Sequence, residues 1–245
     1  MKKASLVLSI FAGVLAGFFV KAETASPSAI YYQQRYPLKN VNDKLVDNHG
    51  NGYENLYGVR NFRAVLNGVV YRGGANNDYN KYGKRDNNNP LPRVGLENLC
   101  EEGFETAVYL YSKNYEKAPK TVACKNIFDQ TQKLDYVQKS PHLYDKDVRA
   151  ILSIIHQRLQ DETDKRPIYL HCWNGWHASG LISAMVLRQF CDYSSDQAVK
   201  YWDRNTDGVN KKVRHDRFRQ KVRAFKPDPN MKIDDDVKAR VCPRS

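Results

Sequence analysis

The sequence predicts an α/β domain, with helices packed against a central sheet, and three observations predict it. Short runs of β-forming residues alternate along the chain with longer amphipathic runs, the order expected when helices cover a sheet. One such run, Ile168-Tyr169-Leu170, passes through a tight Gly-containing loop directly into a second apolar stretch at helical spacing. The chain has 245 residues, enough for one domain with extensions and an ample core.

Residues 1–22 read as a secretory signal peptide: Lys2-Lys3 is the charged start, 4–20 is apolar, and Val20-Lys21-Ala22 fits a small-residue cleavage site. An uncleaved membrane helix is the competing reading, and no other segment approaches the length of a membrane span. The product is then exported, periplasmic or secreted. Residues 23–52 form a polar, exposed N-terminal arm with Tyr31, Tyr32 and Tyr36 available for packing, and the domain proper runs over 53–226. Phe62–Leu66 and Val69–Arg72, joined by Asn67-Gly68, predict a hairpin. Residues 78–92 are a polar loop with an Asn-Pro turn, long enough to form a substrate-facing rim.

Leu96, Leu99 and Cys100 predict a short helix stopping at Gly103, and 106–111, 121–128 and 134–137 read as strands. Val148, Ile151, Leu152, Ile155 and Leu159 mark an amphipathic helix from Asp145. After the 168–170 strand, Leu181, Ile182, Met185, Val186 and Phe190 mark the next helix, and 194–202 another capped by Ser194 or Ser195. Residues 211–225 form a basic helix whose charges line a polyanion groove or, as the preferred reading, face solvent. Residues 227–245 are a tail.

A cysteine at the end of a buried strand, followed by a loop and a helix N-terminus, has a specific chemistry. Unpaired amides and the helix dipole favour anions, and the same surroundings favour a thiolate. The stretch His171-Cys172-Trp173-Asn174-Gly175-Trp176-His177-Ala178-Ser179-Gly180 resembles the signature loop of the cysteine-dependent protein tyrosine and dual-specificity phosphatases. That signature reads His-Cys, five residues, Arg, Ser or Thr, Gly. His171, Cys172, Gly175, Ser179 and Gly180 match, whereas Ala178 stands where the arginine belongs. The Tyr71-Arg72-Gly73-Gly74 segment also resembles the opening of many dual-specificity domains, and the resemblance covers roughly residues 55–226. It implies a mixed central sheet flanked by helices and a reaction through a phosphocysteine.

On that resemblance Cys172 is an accessible nucleophile, His171 sets its hydrogen-bond network, and Ser179 helps cleave the thiophosphate. The loop from Trp173 through Asn174, Gly175, Trp176 and Ala178 to Gly180 binds the ligand. A methyl group cannot copy a bidentate arginine, so Ala178 is the obstacle. His177 is the nearest replacement, and Arg72 is a more distant one. The general acid belongs thirty to forty residues earlier, where Asp135 is chosen over Asp145 and Asp147, which read as helix-capping residues.

The implied function is hydrolysis of a phosphoester. A pseudophosphatase that binds an anionic ligand or protein partner is the alternative, and a thiol-redox protein the fainter one. The net charge of +12 becomes +9 without the three lysines of residues 1–22; it suits a phosphorylated or other anionic partner, with a merely solvated positive surface as the preferred reading of the charge alone. No zinc spacing, nucleotide loop or RNA-binding signature is present, so neither cofactor, metal nor nucleic acid is expected. Asp203-x-Asn205-x-Asp207-Gly208 matches half of a calcium loop, but Arg214 holds the position of the bidentate glutamate, and a turn is the favoured reading. Five cysteines, with Cys172 kept free as the nucleophile, leave four that allow three pairings. Cys100–Cys124 with Cys191–Cys242 is preferred because each ties a helix to a nearby segment or tail.

Overall fold

The computed structural model describes residues 29–38, 40–56, 59–75, 89–161 and 166–243. The expected leader and most of the 78–92 loop therefore lie outside the described residues. Six strands form one sheet: β1 (Arg63–Leu66), β2 (Val70–Gly73), β3 (Thr106–Tyr109), β4 (Thr121–Lys125), β5 (Thr131–Gln138) and β6 (Ile168–His171). Their spatial order is β1-β2-β6-β3-β5-β4. The β2-β6-β3-β5 centre is parallel and both edge pairs are antiparallel, so the sheet is mixed. Its faces are covered by α1 (Ala29–Arg35), α2 (Arg93–Glu101), α3 (Asp145–Gln160), α4 (His177–Phe190), α5 (Ser195–Arg204), α6 (Asp216–Ala224) and α7 (Asp235–Val241).

Period-two alternation divides the central strands between two cores. Ile168 and Leu170 of β6 join Val70 and Val108 on the face covered by α3 and α4, with Ile151, Leu152, Ile155, Leu181 and Ile182. Tyr169 turns the other way and joins Tyr71, Ala107 and Tyr109 in a second core rich in aromatic rings. Both faces of the parallel strands are therefore buried, which is why β6 reads as an uninterrupted apolar run.

The described part of the 23–52 arm packs on the domain through two of the three tyrosines expected to do so, and at these residues it is buried instead of exposed. Tyr32 and Tyr36 are buried in the aromatic core, and the Tyr36 hydroxyl donates to Glu102 Oε2 at 2.7 Å. The reason is amphipathic spacing: Tyr32 of α1 and Tyr36, just past its end and bonded through its amide to the Tyr32 carbonyl at 3.0 Å, lie four residues apart on one side. The tail is likewise integral, since α7 buries Val241 and the Val241 carbonyl accepts from Asn67 N at 2.6 Å. Both preferred disulfides are formed, Cys100–Cys124 and Cys191–Cys242, leaving Cys172 free. The 211–225 stretch is two pieces, a 3-10 turn over Val213–His215 leading into α6.

Candidate active site

The parallel register brings the candidate loop to the carboxyl end of the sheet, where strands hand over to helices. Gly73 and Tyr109 flank His171, and Cys172 leaves the last rung of β6 with its amide donating to the Gly73 carbonyl at 3.3 Å. The chain then turns through Trp173–Trp176 and enters α4 at His177.

Buried polar groups brace this turn from beneath. Gly74 and Asn174 form an antiparallel bridge, and Ala75 N donates to the Trp173 carbonyl at 2.8 Å. Arg60 Nη2 donates to that same carbonyl at 2.6 Å, while Asn61 Nδ2 donates to the Asn174 carbonyl at 2.6 Å. Gly175 has φ +74°, and a Cβ there would stand 2.6 Å from the Gly73 carbonyl carbon, so close backbone approach requires glycine. Gly180 lets Trp202 and Arg72 approach the first turn of α4, where a Cβ would meet them at 3.1 and 3.2 Å.

Arg72 does not reach into the site as a substitute for the loop arginine. Its guanidinium is buried behind the loop, donating to the carbonyls of Gly175 (2.5 Å) and Asn205 (3.2 Å) and to the Tyr201 hydroxyl (3.2 Å). Strand β2 feeds this side chain between the loop and α5, where it joins the two. Sequence gave no signal of the arrangement, because its partners lie more than a hundred residues away.

His171 is fully enclosed. Its Nδ1 lies 3.3 Å from the Cys172 carbonyl oxygen and its Nε2 lies 2.7 Å from the Tyr136 hydroxyl. A carbonyl can only accept, so Nδ1 carries the proton and Nε2 accepts from Tyr136, which itself accepts from Leu91 N at 3.0 Å. Burial pulls the imidazole down to about 3, so His171 is a neutral fixture orienting the backbone around Cys172.

Cys172 and Ser179 stand 3.4 Å apart, close enough for the thiol to donate to the hydroxyl oxygen or for the hydroxyl to donate to a thiolate. The sulfur is not surface-accessible as expected: Cys172 is only 2 % exposed and packs within the α3/α4 core. The cause is its position one residue past a strand buried on both faces. Ser179 and Ala178 are buried beside it, whereas Trp173 is 45 % exposed. Trp176 donates from Nε1 to Asp207 Oδ2 at 3.0 Å.

His177 is one residue into α4. Its Nε2 donates to the Val209 carbonyl at 2.6 Å, and its ring stacks on His215 at 4.4 Å between centroids. Burial lowers its proton affinity, with His215, Arg214 and Arg217 adding to the effect, so it brings no positive charge near neutral pH. Asp135 is not brought to the loop. It pairs in register with Thr106, at the opposite end of β3 from Tyr109, and its half-exposed carboxylate binds Lys133 at 3.1 Å. Asp145 pairs with Lys221, and Asp147 accepts from Ser140 N at 2.7 Å.

The half-match to a calcium loop is dispersed. Asp203 pairs with Arg219, Asn205 Nδ2 donates to the Tyr201 carbonyl, and Asp207 binds Lys44. A cavity of about 210 Å³ opens on the outer side of the loop, where Ala178 and His177 face Tyr111, His142, Arg214 and Arg217. The sequence reading missed the last two as site residues because the spacing of 211–225 suits a solvated face equally well. A larger cavity of about 470 Å³ lies between α3 and α6 and contains none of residues 171–180. Among the described residues, no helix is long and apolar enough to cross a membrane. No known protein-family model matches the chain, and no curated protein matches it.

Proposed function

We propose that this chain is an exported, divergent cysteine-dependent phosphatase that hydrolyses a phosphomonoester through Cys172. The observation that carries the reading is the Cys172–Ser179 pair at 3.4 Å, placed where β6 turns into α4. Four of five cysteines are consumed in cross-links, and the one left free sits at this junction. The helix dipole and the first-turn amides of α4, which has no side-chain cap, favour an anion there.

The reaction balances without a cofactor. The Cys172 thiolate attacks phosphorus, an S–P bond forms, and the ester P–O bond breaks with its electron pair leaving on the departing oxygen, which takes a proton from water. A second water attacks phosphorus, the S–P bond breaks, and the thiolate is regenerated with inorganic phosphate released. Ser179 donates to the leaving sulfur in that second step. Trp173 offers an exposed ring face to the organic part of the ligand.

The second reading, a binder without turnover, is favoured by the 2 % exposure of Cys172 and by alanine at position 178. Hydrolysis of an aryl phosphate by the wild type and by Cys172→Ser separates the two. The phosphatase reading expects measurable turnover that is abolished in the variant. Equal rates in both proteins discard the covalent mechanism, and no turnover in either leaves the binder.

A further inference from the structure

We propose that Arg214 and Arg217, from the 3-10 turn and α6, hold the ligand's phosphoryl group in the cavity beside Ala178, supplying the charge that the loop itself lacks. The inference deepens the phosphatase reading and rests on it for the identity of the ligand. Its basis is a concentration of unneutralised positive charge around a concave site of about 210 Å³. Among the described residues, neither arginine forms a salt bridge with a carboxylate. Arg219, two positions further along α6, is by contrast paired with both Asp203 and Asp216. Arg214 Nε instead lies 3.5 Å from His215 Nε2, and Arg217 lies over the Phe218 ring at 5.0 Å.

The remaining walls fit an anion. Three imidazoles line the cavity: His142 from the turn after β5, His177 from α4 and His215 from the 3-10 turn. All three are held below the ordinary histidine range, first by burial, against a backbone hydrogen bond to Leu110, Val209 and Asn210 respectively. Arg217 and Lys221 add to the depression on His142; His215, Arg214 and Arg217 add to it on His177; and Arg214, Arg219 and Lys212 add to it on His215. Tyr111 lines the same cavity, whereas Cys172 and Ser179 are not among its lining residues; the cavity reaches the loop at His177 and Ala178, and Ser179 follows in sequence. Two forked guanidinium groups provide bidentate donors suited to phosphoryl oxygens. Ala178 contributes by being small: it leaves open the space into which these side chains project.

An anion here offsets the cations that depress the imidazoles, so its binding raises their proton affinity. The acidic groups nearby do not reverse that sign, since Asp203 and Asp216 are held by Arg219, Asp207 by Lys44, and Asp145 by Lys221.

Calorimetric titration of the purified protein with inorganic phosphate tests the assignment. The expected result is one site, with affinity lowered about tenfold by Arg217→Ala or Arg214→Ala, a hundredfold by both, and less by Arg217→Lys. Arg240→Ala, which removes a surface guanidinium paired with Asp236, is expected to change nothing. Both cavity arginines are exposed, and an unchanged melting temperature in each variant verifies the fold. Imidazole proton signals of the wild type are expected to titrate at higher pH with phosphate than without. Phosphate affinity within twofold of wild type in the double variant overturns the inference, as does phosphate that leaves the imidazole titrations unmoved. Either failure leaves the Cys172→Ser comparison standing. Equal turnover in wild type and Cys172→Ser defeats the covalent reading while leaving the phosphate site intact.

Discussion

At the residue scale, the histidine before Cys172 acts through position and not charge. A neutral imidazole donating from Nδ1 to the Cys172 carbonyl and accepting at Nε2 fixes the peptide from which the loop springs. Tyr136 is what makes burial of Nε2 tolerable, and it also satisfies Leu91 N. Tyr136→Phe removes both partners at once and is expected to cost about 1–3 kcal/mol of stability, measured by urea unfolding. The pH dependence follows from the depressed proton affinity of His171, about 3 against an ordinary 6.5. Between those values the unfolded chain binds a proton that the folded one refuses. Stability contributed by this group therefore falls as pH drops through 6.5 towards 3, at up to about 1.4 kcal/mol per pH unit. The same property predicts that the His171 ring signal does not titrate between pH 8 and 5; a titrating signal contradicts the assigned tautomer and burial.

At the element scale, register decides which side chains can share a site. β5 runs parallel to β3, so its carboxyl end, at Gln138, is level with Tyr109 and with the end of β6, while Asp135 is three rungs back. At about 3.3 Å per residue, this places it roughly 10 Å down the sheet from the loop. Asp135→Asn is therefore expected to leave aryl phosphate turnover unchanged, and a tenfold loss would require a different path for β5. Sequence spacing chose Asp135 because distance along the chain says nothing of which end of a strand faces the loop. Other features were legible for definite reasons. The 168–190 strand-loop-helix unit is contiguous, so its periods of 2 and 3.6 and its glycines stand together in the sequence. Ser194 at the start of α5 forms a full capping box with Gln197, a purely local pattern. The braces under the loop, Arg60, Asn61 and Arg72, were illegible because each joins segments over a hundred residues apart. Arg214 and Arg217 were hidden differently: their spacing fits a solvent-facing surface, and only the packing of α6 against α4 places them beside Ala178.

On the scale of the whole molecule, the two cross-links tie the periphery to the centre. Cys100–Cys124 joins α2 to the edge strand β4, and Cys191–Cys242 holds the end of α7 against the end of α4. Closing 51 residues of sequence, the second restrains the unfolded chain by about 4 kcal/mol in the chain-entropy model. Replacing both Cys191 and Cys242 by alanine is expected to lower unfolding free energy by about 2–4 kcal/mol, and an unchanged denaturation midpoint contradicts that account. Such bonds persist where thiols are oxidised. In that setting a chain with an odd number of cysteines carries a hazard, since a loose sulfhydryl scrambles neighbouring cystines or couples two molecules together. Seated just past the last rung of β6 and buried there, Cys172 keeps its sulfur out of reach of large oxidants and of other proteins until something small enough finds its way in.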